Sequence, residues 1–454
     1  MRIIIVGCGK IGQSILHSLI NEGHEIVVID NDRAVIDSVT TNYDVMGICD
    51  AGTHYKALAD AGSAGAELFI AATGSDEINM LSCFLAKRMG ARHTVARIRG
   101  SEYSSENLGF LKKELELSMV INPEKLTAKA IYNILKFPSA VRSESFTRSR
   151  FEMAEMSVKP GSALDGVALS ALRGKSGASF LVCAVLRGKT AHIPRGNFVL
   201  QAGDKLGLIA APEDMQKLLG NMGILQKRAK HVLLLGASRI AAYLSDDLLR
   251  SGNSVKIIEK DDARCDEISA ALGGRAVVIH GDGAQHEVLD EEGLDAADAF
   301  VSLTGMDEEN LLISYYALDR GVPKVIAKLN QDAYHELSEQ LGVECTVSPK
   351  HITADVMLRY ARALQNSVGS RVETLYSLMN GTVEALEFIV SSDFGYTNIP
   401  VKDLKLKPDI LLAGIIRGDN NIIPCGDDVI LPDDRVIIIA AGRRLYDLSD
   451  VIEQ

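Results

Sequence analysis

Arg2-Ile3-Ile4-Ile5-Val6-Gly7-Cys8-Gly9-Lys10-Ile11-Gly12 opens the chain. Its run of β-branched residues has no polar break, which predicts a strand buried on both faces. The glycines follow at once, and then a helical pattern with apolar residues at Ile11, Ile15, Leu16, Leu19 and Ile20, stopped at Gly23. Glu25–Ile29 reads as a second strand, ending at Asp30. The three glycines have separate physical roles. Gly7 makes the tight turn, Gly9 lets backbone approach a pyrophosphate, and Gly12 lets helix and strand pack closely. An anion on this helix N-terminus meets free N–H groups and the positive end of the dipole. Asp30 comes 18 residues after Gly12, close to the ~20 expected of the acid that hydrogen-bonds a ribose diol.

Outward from this stretch, strand and helix patterns alternate. Val45–Cys49, Leu68–Ala72, Thr94–Ile98 and Met119–Ile121 read as further strands, and Glu77–Met89 as the clearest helix. The rhythm predicts a doubly wound parallel sheet. Asn122-Pro123 opens a helix to about Lys136, ended by Pro138, and Ser139–Arg150 reads as a linker. From Phe151 short strands (Glu152–Val158, Phe180–Arg187, Leu206–Ile209) alternate with Gly and Pro turns, a small β-rich lobe with a short helix near Met215–Leu219.

The pattern then repeats. Gly7 to Gly236 and Asp30 to Glu259 both span 229 residues, Asp50 to Asp282 spans 232, and Thr73 to Thr304 and Arg97 to Lys328 span 231. In the small lobes Pro194-x-Gly196 returns as Pro424-x-Gly426 and Gly203-Asp204 as Asp433-Asp434, both after 230. So near-constant an offset predicts a tandem duplication in the α/β class: two doubly wound, parallel, Rossmann-like lobes, each followed by a small α+β lobe. The expected divisions are 1–122, a crossover helix and linker at 123–148, a small lobe at 149–225, the second Rossmann-like lobe at 229–348, a crossover helix at 349–369 and a second small lobe at 370–454.

Bulk properties narrow the function. At 454 residues the chain is too long for one core. A net charge of −12, a pI near 5.4 and the absence of Trp argue against a nucleic-acid binder. No apolar run reaches the ~18 residues of a membrane span, and the chain enters a strand directly, predicting no leader and no membrane insertion. Seven scattered cysteines without CxxC spacing fit buried thiols in a reducing cytoplasm.

The candidate site residues fall at the carboxyl ends of predicted strands, the edge where open α/β sheets bind ligands. In the first half these are Gly7, Cys8, Gly9, Lys10, Ile11, Gly12, Asp30, Asp50, Thr73, Gly74 and Arg97. Taken singly, Asp50 or Thr73 reads as a helix cap and Arg97 as a solvated charge; jointly they outline one nucleotide. In the second half only Gly236 survives of the glycines. Ser238 sets a Cβ where backbone meets pyrophosphate, Ala241 tolerably replaces the third glycine, and Glu259 keeps a carboxylate, so this site reads as either occupied or vestigial. Catalytic constellations are lacking: no HExxH, GxSxG or GK[ST] occurs, and His280 and His286 around Gly281-Asp282-Gly283 read as surface residues rather than metal ligands. The expectation is a binding protein with no catalytic residue and no metal. An NAD-dependent oxidoreductase is the alternative, and a scaffold with vestigial sites a third reading.

Gly7–Gly12, Asp30, the stretch Ala72-Thr73-Gly74-Ser75-Asp76-Glu77-Ile78-Asn79-Met80, Ala96-Arg97-Ile98-Arg99 and the repeat at Asp307-Glu308-Glu309-Asn310 resemble the nucleotide-binding lobe of the RCK (KTN) family. The small lobe is similar to its companion C-terminal lobe. Two such units in one chain resemble the TrkA family of Trk-type potassium uptake systems. The resemblance implies a cytoplasmic regulatory subunit, peripheral on the inner face of the membrane, gating a TrkH/TrkG-type integral-membrane transporter. It implies NAD (NAD+/NADH) as ligand, with ATP or ADP as further candidates, and a homo-oligomer, a dimer or tetrameric ring. It also implies a second set of ligand residues: Gly236, Ala237, Ser238, Arg239, Ile240, Glu259, Asp282, Thr304, Gly305 and Lys328.

Overall fold

In the computed structural model, residues 1–100, 102–103, 105–136, 142–145, 151–221, 229–365 and 372–453 are described. The strand Arg2–Val6 lies at the centre of a six-stranded parallel sheet with Glu25–Asp30, Met46–Cys49, Leu68–Ala71, His93–Arg97 and Met119–Ile121. Their spatial order is third, second, first, fourth, fifth, sixth. Ile3 and Ile5 pack with Ile15, Leu16 and Leu19 on one face, whereas Ile4 packs with Leu58, Phe69 and Met80 on the other, which is why this run carries no polar alternation. The strands His231–Leu235, Ser254–Glu259, Val277–His280, Ala299–Ser302, Lys324–Lys328 and Cys345–Val347 repeat the same sheet in the same order. In each sheet the order reverses between the first and fourth strands, opening a crevice beyond Gly7 or Gly236.

The small lobes hold two five-stranded antiparallel sheets. The first contains Glu152–Ser157, Phe180–Arg187, Thr190–His192 and Lys205–Ala210, and its edge strand is Arg142–Ser145, paired with Glu152–Ser157. This corrects the reading of that stretch as linker. Arg142-Ser143-Glu144-Ser145 has no apolar face to betray a strand, and an edge position does not require one. Pro138 and Ser139 lie outside the described residues. The second sheet contains Val372–Leu378, Val383–Ile389, Ile410–Arg417, Asn420–Ile422 and Arg435–Ala441. Phe151, Met153, Cys183 and Ile209 of the first small lobe form one core with Val383, Ala385, Ala413 and Ile437 of the second, so the two sheets bury a shared face.

The halves are joined more deeply by their crossover helices. Pro123–Lys136 leaves the first lobe and packs along Arg239–Arg250 of the second, where Ala128, Ile131, Ile134 and Leu135 enter a core with Val232, Leu234, Leu244 and Ile257. Pro349–Gln365 returns the exchange along Lys10–Ile20, placing Met357 and Ala361 with Ile15, Leu16 and Leu19. Each Rossmann-like lobe is therefore completed by a helix of the other half. At the end of this second crossover helix Arg362, 1% exposed, bonds Glu22 at 2.7 and 2.8 Å and Glu384 at 2.9 and 3.0 Å. One guanidinium thus ties the helix to the first Rossmann-like lobe and to the second small sheet.

Candidate functional site

Gly7 adopts φ +85°, and a Cβ there would lie 2.7 Å from the Thr73 nitrogen, so the turn closes directly onto the end of the fourth strand. A Cβ on Gly12 would lie 2.0 Å from the Gly7 carbonyl oxygen, which requires glycine where helix crosses strand. A Cβ on Gly9 would meet nothing within 4 Å. The helix beginning at Lys10 has no side-chain cap, leaving its first N–H groups for a ligand. The Asp30 carboxylate closes the turn, accepting the Cys8 N–H at 2.6 Å and the Asp32 N–H at 3.0 Å. The buried Cys8 thiol is pushed up to about 12, by burial first and then by the charge of Asp30, so it is no nucleophile at neutral pH.

These groups line a cavity of about 910 Å³. Gly7, Gly9, Lys10, Ile11, Asp30, Asp50, Thr73, Gly74 and Arg97 all line it, whereas Cys8 and Gly12 are not among its lining residues. Asp50 turns its carboxylate to the Ala51 N–H and to His54, both at 2.7 Å, and these two hold it below its ordinary range. The cavity does not stop at the first half. Ser238, Arg239, Ile240, Lys328 and Lys350 of the second half form its opposite wall, whereas Gly236, Ala237, Glu259, Asp282, Thr304 and Gly305 are not among its lining residues. The two predicted sets of ligand residues converge in part on one cleft.

Its electrostatics favour an anion. Burial, then the neighbouring charge of Arg99, disfavours the Arg97 cation, and burial lowers Lys328. Charge also crosses between halves, with Arg239 acting on Arg97 and Lys10 on Lys328. Arg97 donates from one terminal nitrogen to the Thr73 carbonyl at 3.2 Å, but its Nε is buried without a partner among the described residues. An incoming phosphate would supply the missing acceptor.

Sequence reasoning missed the device that holds these ends together. Asn79, fully buried, accepts the Thr73 N–H at 2.8 Å and hydroxyl at 2.7 Å and donates to the carbonyls of Thr73 and Arg97. Asn310 does the same for Thr304 and Lys328. Both lie in the quoted motif stretches, and their recurrence 231 residues apart is the signal that could have found them. Also missed were Arg99, Glu124 and Lys350, which line the cleft.

The second half differs at its helix start. Glu259 accepts the Ala237 N–H at 2.7 Å, as Asp30 does from Cys8, but the Ser238 hydroxyl caps its own helix by accepting the Ala241 N–H at 3.3 Å. The helix start that carries no side-chain cap in the first lobe is thus capped in the second. His280 and His286 do not converge: His280 bonds the Lys260 carbonyl, and the His286 ring stacks on Tyr316 at 3.9 Å.

The sequence profile of the TrkA-N domain matches residues 3–123 and 232–349, more than half the chain, and that of the TrkA-C domain matches 153–223 and 386–452. The chain belongs to the TrkA family. The Trk system potassium uptake protein TrkA homolog of Archaeoglobus fulgidus is 31% identical to this TrkA-family chain over 451 residues, covering 99% of it and 100% of the relative. The Haemophilus influenzae protein named Trk system potassium uptake protein TrkA is 28% identical, covering 98% and 96%. Among solved structures, the GsuK channel bound to NAD superposes with a TM-score of 0.60 at 16% identity, covering 97% of this chain and 77% of the channel's, a likeness of fold. As in the TrkA-family profiles, each Rossmann-like lobe here is followed by its own small lobe, and the pairing occurs twice.

Proposed function

We propose that this chain is a nucleotide-responsive regulatory subunit of a Trk-type potassium transporter, acting from the cytoplasmic face of a TrkH/TrkG-type membrane subunit as part of a homo-oligomer. NAD(H) is the first candidate ligand and ATP or ADP the next. Gly9, Lys10 and Ile11 would hold its pyrophosphate, Asp30 a ribose diol, and Asp50, Thr73, Gly74 and Arg97 would border it. The residues fit such a group: open space at Gly9, an uncapped helix start and an orphaned buried Arg97 nitrogen all await an anion.

One observation carries the reading, the lining of a single cleft by Arg97 of one half and Arg239, Lys328 and Lys350 of the other. A ligand touching both walls binds most tightly at one spacing of the halves, so occupancy biases their relative angle. A coupling of ~1–3 kcal/mol, typical of allostery, gives a 5–150-fold bias. The motion would pass through the crossover helix and Arg362 to the small lobes. Among the described residues, no histidine, tyrosine or cysteine lines the cleft; its titratable groups are carboxylates, lysines and arginines, which suit the holding of a charged ligand.

The test is thermal stabilisation by NAD, NADH, ATP and ADP of the wild type and of Asp30→Ala, Arg97→Ala and Arg239→Ala. A ligand that binds only the folded state must stabilise it. Stabilisation lost in Asp30→Ala and weakened in both arginine variants is expected, and nucleotide-dependent transport should weaken with them. No shift with any of the four nucleotides would sink the regulatory reading and leave a scaffold.

A further inference from the structure

Away from the glycine turn, one ligand-type atom each of Asp332, His335 and His351 lies within 4.8 Å of the others. Asp332 precedes the helix Ala333–Gln340, His335 stands in its first turn, and His351 is the third residue of the crossover helix Pro349–Gln365. His335 Nδ1 is 2.9 Å from the Thr346 hydroxyl, whereas its Nε2 is buried with no hydrogen-bond partner among the described residues. A ring oriented through one nitrogen, with the other left vacant, is how second-shell contacts prepare an imidazole for a metal. Left without a partner, that buried nitrogen is a cost. His351 Nε2 lies 3.0 Å from Asp332 Oδ1, and the two imidazoles stack at 5.8 Å.

We propose that Asp332, His335 and His351 form a binding site for a divalent first-row transition ion of the Zn²⁺ class. Two imidazoles and one carboxylate suit such an ion, whereas Mg²⁺ and Ca²⁺ prefer all-oxygen sets. Three protein ligands leave one tetrahedral position for water. Bonds of about 2.0–2.2 Å give ligand–ligand edges of about 3.3–3.6 Å, so the widest separation must close by about an ångström. The Asp332 and His351 side chains, 67% and 46% exposed, are free to make that movement and give the ion a path from solvent. Lys350 competes: its Nζ is 2.9 Å from Asp332 Oδ1, and a bound cation would displace it. In the sequence, Ser101 and Ser104 align with Asp332 and His335 at the offset of 231, and Lys125 is, like His351, the third residue of its crossover helix, so the trio is not repeated in the sequence of the first half.

The test uses the full chain, stripped with a chelator and titrated with Zn²⁺ against a chromophoric competitor, then with Co²⁺ followed by visible absorption. One ion per chain is expected, unaffected by millimolar Mg²⁺. His335→Ala and His351→Asn should each weaken binding at least about tenfold, and Lys350→Met should tighten it by removing a competing cation. Circular dichroism identifies any variant that fails to fold; His351→Asn, at a half-exposed side chain, is the safer of the two. No binding by the wild type, undiminished binding by a folded histidine variant, or weaker binding by Lys350→Met would each overturn the site.

Discussion

Arg362→Met tests whether the halves are locked through one buried cation. Arg362 makes four hydrogen bonds of 2.7 to 3.0 Å, two to Glu22 and two to Glu384. Burial alone would favour a neutral guanidine, but the bonds from Glu22 and Glu384 outweigh it and hold Arg362 above its ordinary pKa. Its removal leaves the Glu22 side chain, 1% exposed, with Arg444 as its remaining cation at 3.3 Å, while Glu384 at 15% can turn toward water. Breaking a buried pair on one side costs about 3–5 kcal/mol, chiefly through the stranded charge. Partial relief from Arg444 and solvent places this case near 3 kcal/mol. With no tryptophan in the chain, urea unfolding is best followed by far-UV circular dichroism. Adding Glu22→Gln should recover at least half of the loss, because the stranded charge goes with it. A single-variant cost below about 1 kcal/mol, or no recovery in the double variant, would refute the reasoning.

Gly12→Ala should abolish nucleotide stabilisation and destabilise the first lobe by about 1–3 kcal/mol, because its Cβ would strike the Gly7 carbonyl; a melt of the variant checks both. Asp204→Asn should cost about 1–3 kcal/mol at pH 7, since the buried Asp204 accepts from Arg187 at 2.7 and 2.8 Å. Burial pushes Asp204 up, but Arg187 and the Gln201 N–H outweigh it and hold the carboxyl below its usual value. Its contribution is therefore full above the unfolded value of about 3.9 and is lost as pH falls through the lowered folded value, so variant and wild type should converge under acid unfolding below about pH 4. Asn79→Ala should weaken nucleotide binding and lower the melting temperature by breaking the tie between Thr73 and Arg97; isothermal titration reads the first effect. Each half expressed alone should aggregate, because its crossover helix then exposes residues such as Ile131 or Met357, and co-expression should restore a soluble complex visible by size-exclusion chromatography.

The two parallel sheets and their repeat were legible because their signals are local: an unbroken β-branched run, glycines with separate steric duties, and an acid closing the next strand. The small-lobe cores were legible as short apolar strands, but the polar edge strand Arg142–Ser145 was not, since an edge needs no apolar face. The apolar stripe Ala128, Ile131, Leu135 announces a buried helix face without saying which lobe buries it. That choice rests on tertiary geometry, and with it went the meeting of Arg97 and Lys328 across one cleft. Asn79 was in view, but four bonds to two strand ends cannot be read from one polar residue in a helix. Asp332, His335 and His351 have no metal-ligand spacing, because two of them reach the third from a different helix.

A symmetric dimer of identical chains must accept every substitution twice, once at each of its sites. Here the exchanged helices hold two copies in a dimer-like embrace, while a continuous chain lets each copy change by itself. Ser238 could close its helix end without closing that of Gly9, and His335 and His351 could arise where the sequence of the first copy has Ser104 and Lys125. On the function proposed above, covalent joining thus lets two like copies divide their labour, one flank serving the nucleotide and the other at liberty to acquire a different ligand.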